Sequence, residues 1–241
     1  MTVLNTADKI YIGSTLVAKV YAGTTQVWPA AVATPTIAFR SFTNTTYASR
    51  ISTTLTPPAG LANGDILIAV LFVGRGSPPA NPSLPGGWAE FGTKTAVSDG
   101  GFYGDLHIYW KRAASESGDY LFTTGITAHS TQGLLKAYSG CKATGTPLAA
   151  TSNNTGTGTA EVGTGITTTA ANSWLLYEAH NWEGTGTLTP PAGMTERFDI
   201  LIYSADQLIA AAGATGSRSH TNVNTGANPW AVRMVELLSA G

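Results

Sequence analysis

Charge is what this chain has least of. Only 11% of its 241 residues are charged, 13 Lys and Arg against 14 Asp and Glu, for a net charge of −1, well under the usual quarter of a soluble protein. No run of Lys or Arg exists that would neutralise several phosphates, so nucleic acid is not an expected partner. Cysteine is nearly absent. The lone Cys141 excludes an intrachain disulfide frame, fits synthesis in a reducing compartment, and reads as a small apolar residue at a strand end. The longest apolar run, Ile66 to Val73, is far short of the roughly 20 residues that cross a bilayer. The amino terminus carries Asp8 and Lys9 where a leader would continue its apolar run. Membrane insertion is therefore not expected, and the product is expected to be made in the cytoplasm. Helical periodicity is missing too, with Gln207 to Ala212 the one stretch that would admit a helical turn.

Groupings that carry chemistry are equally sparse. His107, His129, His180 and His220 show none of the close pair spacings of zinc sites, so no metal or other cofactor is expected. Ser139, in Ala-Tyr-Ser-Gly-Cys, lacks the flanking glycine of a nucleophile elbow and reads as a turn residue. Glu178, His180 and Glu183 lie close together, and paired carboxylates can do acid and base work on a sugar; an exposed strand end is the simpler reading. Asp99-Gly-Gly-Phe-Tyr-Gly-Asp105 has oxygen donors and glycines but too few carboxylates for a calcium loop, and reads as a plain turn. No catalytic residue is assigned, and an enzyme is not expected.

What is present is sheet-forming. With 43% apolar residues and 28 glycines among abundant Thr, Ser and Ala, the chain is too apolar for disorder and long enough for a small unit plus one large β-sandwich. Residues 1–28 contain one phrase twice at a period of ten: Ile10-Tyr-Ile-Gly-Ser-Thr-Leu-Val17, then Val20-Tyr-Ala-Gly-Thr-Thr-Gln-Val27. Gly at the first place of a two-residue loop is what a type II′ hairpin turn requires, so the segment reads as a three-stranded meander. Strands this short cannot bury enough surface to stand alone. Tyr11, Leu16, Tyr21, Val27 and Trp28 are accordingly the candidate partner-docking residues. Residues 29–35, Pro29-Ala-Ala-Val-Ala-Thr-Pro35, read as a linker.

The body, 36–241, reads as an antiparallel, jelly-roll-like sandwich of two related halves. Asp65 to Val73, continuously apolar after its leading Asp65, should be a central strand covered on both faces. Leu106, Ile108 and Trp110 alternate with His107, Tyr109 and Lys111, and the first set should face the core. The proline- and glycine-rich stretch 74–87 reads as an irregular loop, and the polar stretch 151–165 as a crossover loop or mobile edge. In the second half Trp174 to Ala179 takes the place of the Ile66 strand, Gln207 to Gly213 parallels Leu106 to Ala113, and Ala231 to Leu238 parallels Leu134 to Tyr138. Leu188-Thr-Pro-Pro-Ala-Gly193 repeats Leu55-Thr-Pro-Pro-Ala-Gly60 outright. Trp110 and Trp174 read as core. Trp88, Trp182 and Trp230 lie beside Gly, Pro and Asn, as loop anchors or as a stacking surface for a host-surface glycan.

The tandem Tyr-x-Gly-x-Thr-x-Val phrase resembles the short repeats of bacteriophage minor tail and tail-fibre proteins. Gly64-Asp65-Ile-Leu-Ile-Ala-Val70, Pro85-Gly-Gly-Trp88, Tyr109-Trp-Lys-Arg-Ala113 and Tyr138-Ser-Gly140 resemble the same group. The resemblance implies a virion part, joined to other virion proteins through residues 1–28, with no catalytic residues to carry over. A chain that leaves its meander uncovered is also expected to form a homo-oligomer, for which a trimer would fit. A head decoration or head fibre, and a carbohydrate-binding module, are the alternatives.

Overall fold

The computed structural model describes residues 10–12, 15–17, 19–28, 36–75, 80–99, 102–124, 130–181, 188–222 and 229–240. Among them every regular element is a strand and none is a helix, so the chain is all-β. Its contacts divide into two units, Met1–Thr34 and Pro35–Gly241.

In the first unit β1 (Ile10–Ile12) pairs with β2 (Thr15–Val17), and β3 (Val20–Ala22) with β4 (Thr25–Trp28), both antiparallel. The expected three-stranded meander is instead two hairpins, one per copy of the phrase. Each glycine-led turn joins strands of its own copy, Lys19 lies outside both ladders, and β2 and β3 form no ladder among the described residues. Gly23 has φ +65° and Thr24 is not left-handed, as a type II′ turn demands. Gly13 of the first copy and the linker 29–35 lie outside the described residues.

The second unit opens with β5 (Ala38–Asn44), β6 (Ala48–Ser49), β7 (Ser52–Leu55), β8 (Ile66–Arg75), β9 (Ala89–Glu90), β10 (Thr95–Asp99), β11 (Phe102–Arg112), β12 (Tyr120–Thr123) and β13 (Ser130–Ser139). It continues with β14 (Leu148–Thr157), β15 (Ala160–Gly163), β16 (Thr167–Thr168), β17 (Ser173–Asn181), β18 (Leu188–Thr189), β19 (Thr195–Asp199), β20 (Ile202–Ile209), β21 (Gly213–Ala214), β22 (Arg218–Asn222) and β23 (Pro229–Leu237). The first group builds a sheet of order β10-β11-β8-β13-β5, with β9 and β6 added to β11 and β13; the second builds β14-β23-β17-β20-β19. Every ladder is antiparallel.

The two orders are the same order. Reading β9 with β10, β11, β8, β13 and β5 as β19, β20, β17, β23 and β14 turns one sheet into the other, so the two halves share one topology. The register fixes the correspondence residue by residue. Ala89 and Ile68 flank Trp110 as Thr195 and Leu176 flank Asp206, and Lys136 opposes Ile68 as Val235 opposes Leu176. Just before these strands, the Trp88 amide donates to the Pro85 carbonyl (3.4 Å) and the Met194 amide to that of Pro191 (3.0 Å), with Gly87 at φ +81° and Gly193 at φ +78°.

That register corrects the literal repeat. Leu55-Thr-Pro-Pro-Ala-Gly60 leaves β7 toward β8, whereas Leu188-Thr-Pro-Pro-Ala-Gly193 leads from β18 into β19. The counterpart of the second copy is Leu84-Pro-Gly-Gly-Trp88. Pro-Pro-Ala-Gly is a turn used at unlike places: the Leu61 amide donates to the Pro58 carbonyl and Gly60 sits at φ +72°.

The halves meet face to face. Ile66, Ile68, Val70 and Phe72 of β8, with Leu106, Ile108, Leu134 and Tyr138, pack against Leu176, Ile202, Ala231, Val235 and Leu237. The alternate residues point the other way into a second core, where Leu67, Ala69, Leu71, Tyr109 and Leu135 are covered by Leu55, Tyr120 and Phe122 of the β7–β12 ladder. The outer face of the second sheet, with Leu175, Tyr177, Ala179, Tyr203, Val232 and Met234, has its own core beside the ladders β15-β22-β18 and β16-β21. The continuous apolar run of β8 is thus buried on both sides, as that pattern requires. Tyr109 is buried as deeply as Leu106 and Ile108.

Three expectations change. Each large sheet is drawn from one half of the chain, so the halves do not interleave as a jelly roll's strands would; the first and last strands of each half pair, β5 with β13 and β14 with β23. The polar stretch 151–165 is mostly strand: β14 is an edge strand whose exposure alternates, and Asn154 Nδ2 donates to the Val162 carbonyl at 2.8 Å. Gln207 to Ala212 is not helical, because β20 runs to Ile209 and residues 210–212 bend.

Candidate functional site

Lys136 lies between Leu134 and Tyr138 on β13, and the two-residue period of a strand points all three at the opposite sheet. Its Nζ donates to Glu178 of β17 and, at 2.7 Å, to Ser204 Oγ of β20. Beside it the Tyr138 hydroxyl donates to Asp206 Oδ2 at 2.9 Å. Arg197 closes on that carboxylate with Nε at 3.0 and 2.9 Å from the two oxygens. Lys136, Glu178 and Ser204 are 0% exposed. Burial pushes the Glu178 carboxyl above its usual range against the pull of Lys136. Burial, with Asp206 next, raises the Tyr138 phenol well above normal.

His180, one period further along β17, lies ring to ring on Phe72, 3.2 Å between centroids and 7° apart in plane. Burial holds its pKa well below the usual value. Glu178 and His180 therefore do share a strand face, as the sequence suggested, but that face is sealed between two sheets rather than exposed. Glu183 lies outside the described residues. A sealed group of this kind ties sheet to sheet and presents no acid or base to a substrate.

The other candidates are accounted for in turn. Trp88 is 7% exposed, edge-on to Tyr120 and Phe122 in the first outer core, and Trp230 is 5% exposed in the second. Both are anchors with no ring face left for a sugar, which removes them as stacking residues; Trp182 lies outside the described residues. Asp105 is held by Lys94 (Nζ to Oδ2 2.5 Å), and Asp99 pairs with Phe102 in the β10–β11 hairpin. Cys141 is buried, its thiol pushed up to about 12 by burial. Ser139 ends β13, its hydroxyl 3.4 Å from the Ala38 carbonyl. No group of three metal-ligating side chains occurs among the described residues, and no described helix is long and apolar enough to cross a membrane.

Of the docking candidates, Tyr21 on β3 is 53% exposed. Tyr11, Leu16, and Val27 with Trp28 belong to β1, β2 and β4, and their side chains lie outside the described residues. The residues that sequence reasoning missed are Lys136, Ser204 and Asp206. The available signal was a lysine at an inward position of the apolar run Gly133 to Tyr138, which needs a buried partner.

Comparison with protein-family models, with curated proteins and with solved structures returned no match.

Proposed function

We propose that this chain is a non-enzymatic structural protein of a bacteriophage virion, a minor tail or tail-fibre component displayed on the particle and meeting the host surface. The observation that carries the reading is the leading unit. A phrase spoken twice folds as two hairpins that leave Tyr21 in solvent, and two-stranded ribbons need a partner to be stable in water. Other virion proteins are that partner in this reading, which rests further on the sequence resemblance to phage tail proteins. A body with few charges and deeply buried cores suits a rigid displayed module, as a homo-oligomer in the particle.

A head decoration or head fibre would use the same parts. Host glycan contact by Trp88 and Trp230 loses its support, since both rings are inside. The test is incorporation: the chain lacking residues 1–34 should be lost from purified particles while the full chain is retained. Equal incorporation of the two would overturn the reading.

A further inference from the structure

The two large sheets are related to each other by an approximate two-fold axis. Phe72 and His180 occupy equivalent positions in β8 and β17 and stack on one another, which places the axis between them. The edges agree: β10 meets β14 and, through Phe42 on Phe198, β5 meets β19, two contacts that the axis exchanges. One half therefore packs on the other as a subunit packs in a symmetric dimer.

The chemistry breaks that symmetry at two places. Carried across the axis, Lys136, Glu178 and Ser204 become Val235, Val70 and Ile108, three apolar residues of the same core. Likewise Phe42 and Leu134 become Thr151 and Arg233. There the guanidinium fills the room, with Nη1 donating to the Thr93 carbonyl at 2.7 Å and Nε lying 3.3 Å from Thr151 Oγ1. A Cβ on Gly92 would stand 2.1 Å from that side chain.

We propose that the Lys136 group makes the inner faces heterotypic: the first half accepts the second, its own or that of another copy, and neither accepts its like. Pairing first with first would bury Lys136 against Val70 and Ile108 with no carboxylate. Pairing second with second would bury Glu178 against Val235 with no lysine. Unpaired buried charge is a standard means of excluding a wrong partner. The proposal is independent of any role in a virion.

The test uses the full chain, unfolded in denaturant and refolded at high concentration, with size measured by chromatography and light scattering. Lys136→Val alone strands Glu178 and should lower the folding equilibrium constant by about 100-fold or more. Lys136→Val with Glu178→Val and Ser204→Ile writes the apolar mate into the polar site. It should recover folding and refold to a ladder of larger species, as like halves of neighbouring chains join, where the wild type returns to its native size. A triple variant that refolds to the wild-type size distribution, or one that does not fold, would overturn the proposal. So would a single variant as stable as the wild type.

Discussion

The two halves of the body have one strand order and two chemistries. At the centre the first half supplies Ile68, Val70 and Ile108 where the second supplies Leu176, Glu178 and Ser204. In the outer cores Trp88 stands where Met194 does. Strand order survives these exchanges because it is set by which backbone edges pair and how chain reversals are made, whereas side chains need only fill the same space and satisfy their own polar groups. Equivalent positions can thus be compared like two mutants of one protein.

The largest expected effect comes from filling the first half at its tightest point against the second. Gly92→Phe asks for a side chain at φ +67° and 2.1 Å from Arg233, and should cost about 4 kcal/mol or more in chemical denaturation. Adding Arg233→Leu should recover part of the loss. A Gly92→Phe protein of wild-type stability would show that Arg233 does not lie against Gly92.

Next come matched truncations. Ile68→Ala and Leu176→Ala, both fully buried at corresponding places, should each cost roughly 2–5 kcal/mol. Values differing by more than the whole of that range would show the positions are not equivalent. Trp88→Ala should cost about 3–5 kcal/mol through its buried ring, as measured by the denaturant midpoint. An unchanged midpoint would place the indole outside the core.

A smaller effect distinguishes the halves by pH. Burial lowers the pKa of His220 to about 4 and that of His180 well below 6.5. Between those values and the unfolded value of about 6.5 the unfolded chain binds protons that the folded chain refuses. Their contribution is therefore complete above pH 6.5 and lost as pH falls through the folded pKa values. Glu178, raised by burial, works in the opposite sense, its contribution fading as pH rises. His220→Phe should flatten the fall between pH 6.5 and 4; an unaltered slope would contradict the assignment. Tyr21→Ser, in solvent on β3, should leave stability within about 0.5 kcal/mol while weakening incorporation into particles.

Much of this was legible beforehand, unevenly. The β8 run declared itself because eight residues without a polar break have nowhere to go but between two layers. The alternation from Leu106 to Trp110 correctly gave one face, yet both faces are buried, since the covering β7–β12 ladder is a long-range contact that no local pattern announces. The correspondence of β17 with β8 was readable, while the repeated Pro-Pro-Ala-Gly misled because a turn sequence reports local backbone geometry and not its place in the topology. The sealed Lys136 group was hardly legible. Its members are 42 and 68 residues apart, and each alone looks like an ordinary polar residue in a strand. Trp88 and Trp230 lay beside turn residues, and only tertiary packing decides whether such a ring folds inward.

The reading as a displayed virion component is tested most directly by immunogold labelling of intact phage particles with antibody to residues 36–241, viewed by negative-stain electron microscopy. Gold clustered at the tail end is the predicted result. Particles that carry no gold, from a lysate in which the protein is present and recognised by the antibody, would contradict it.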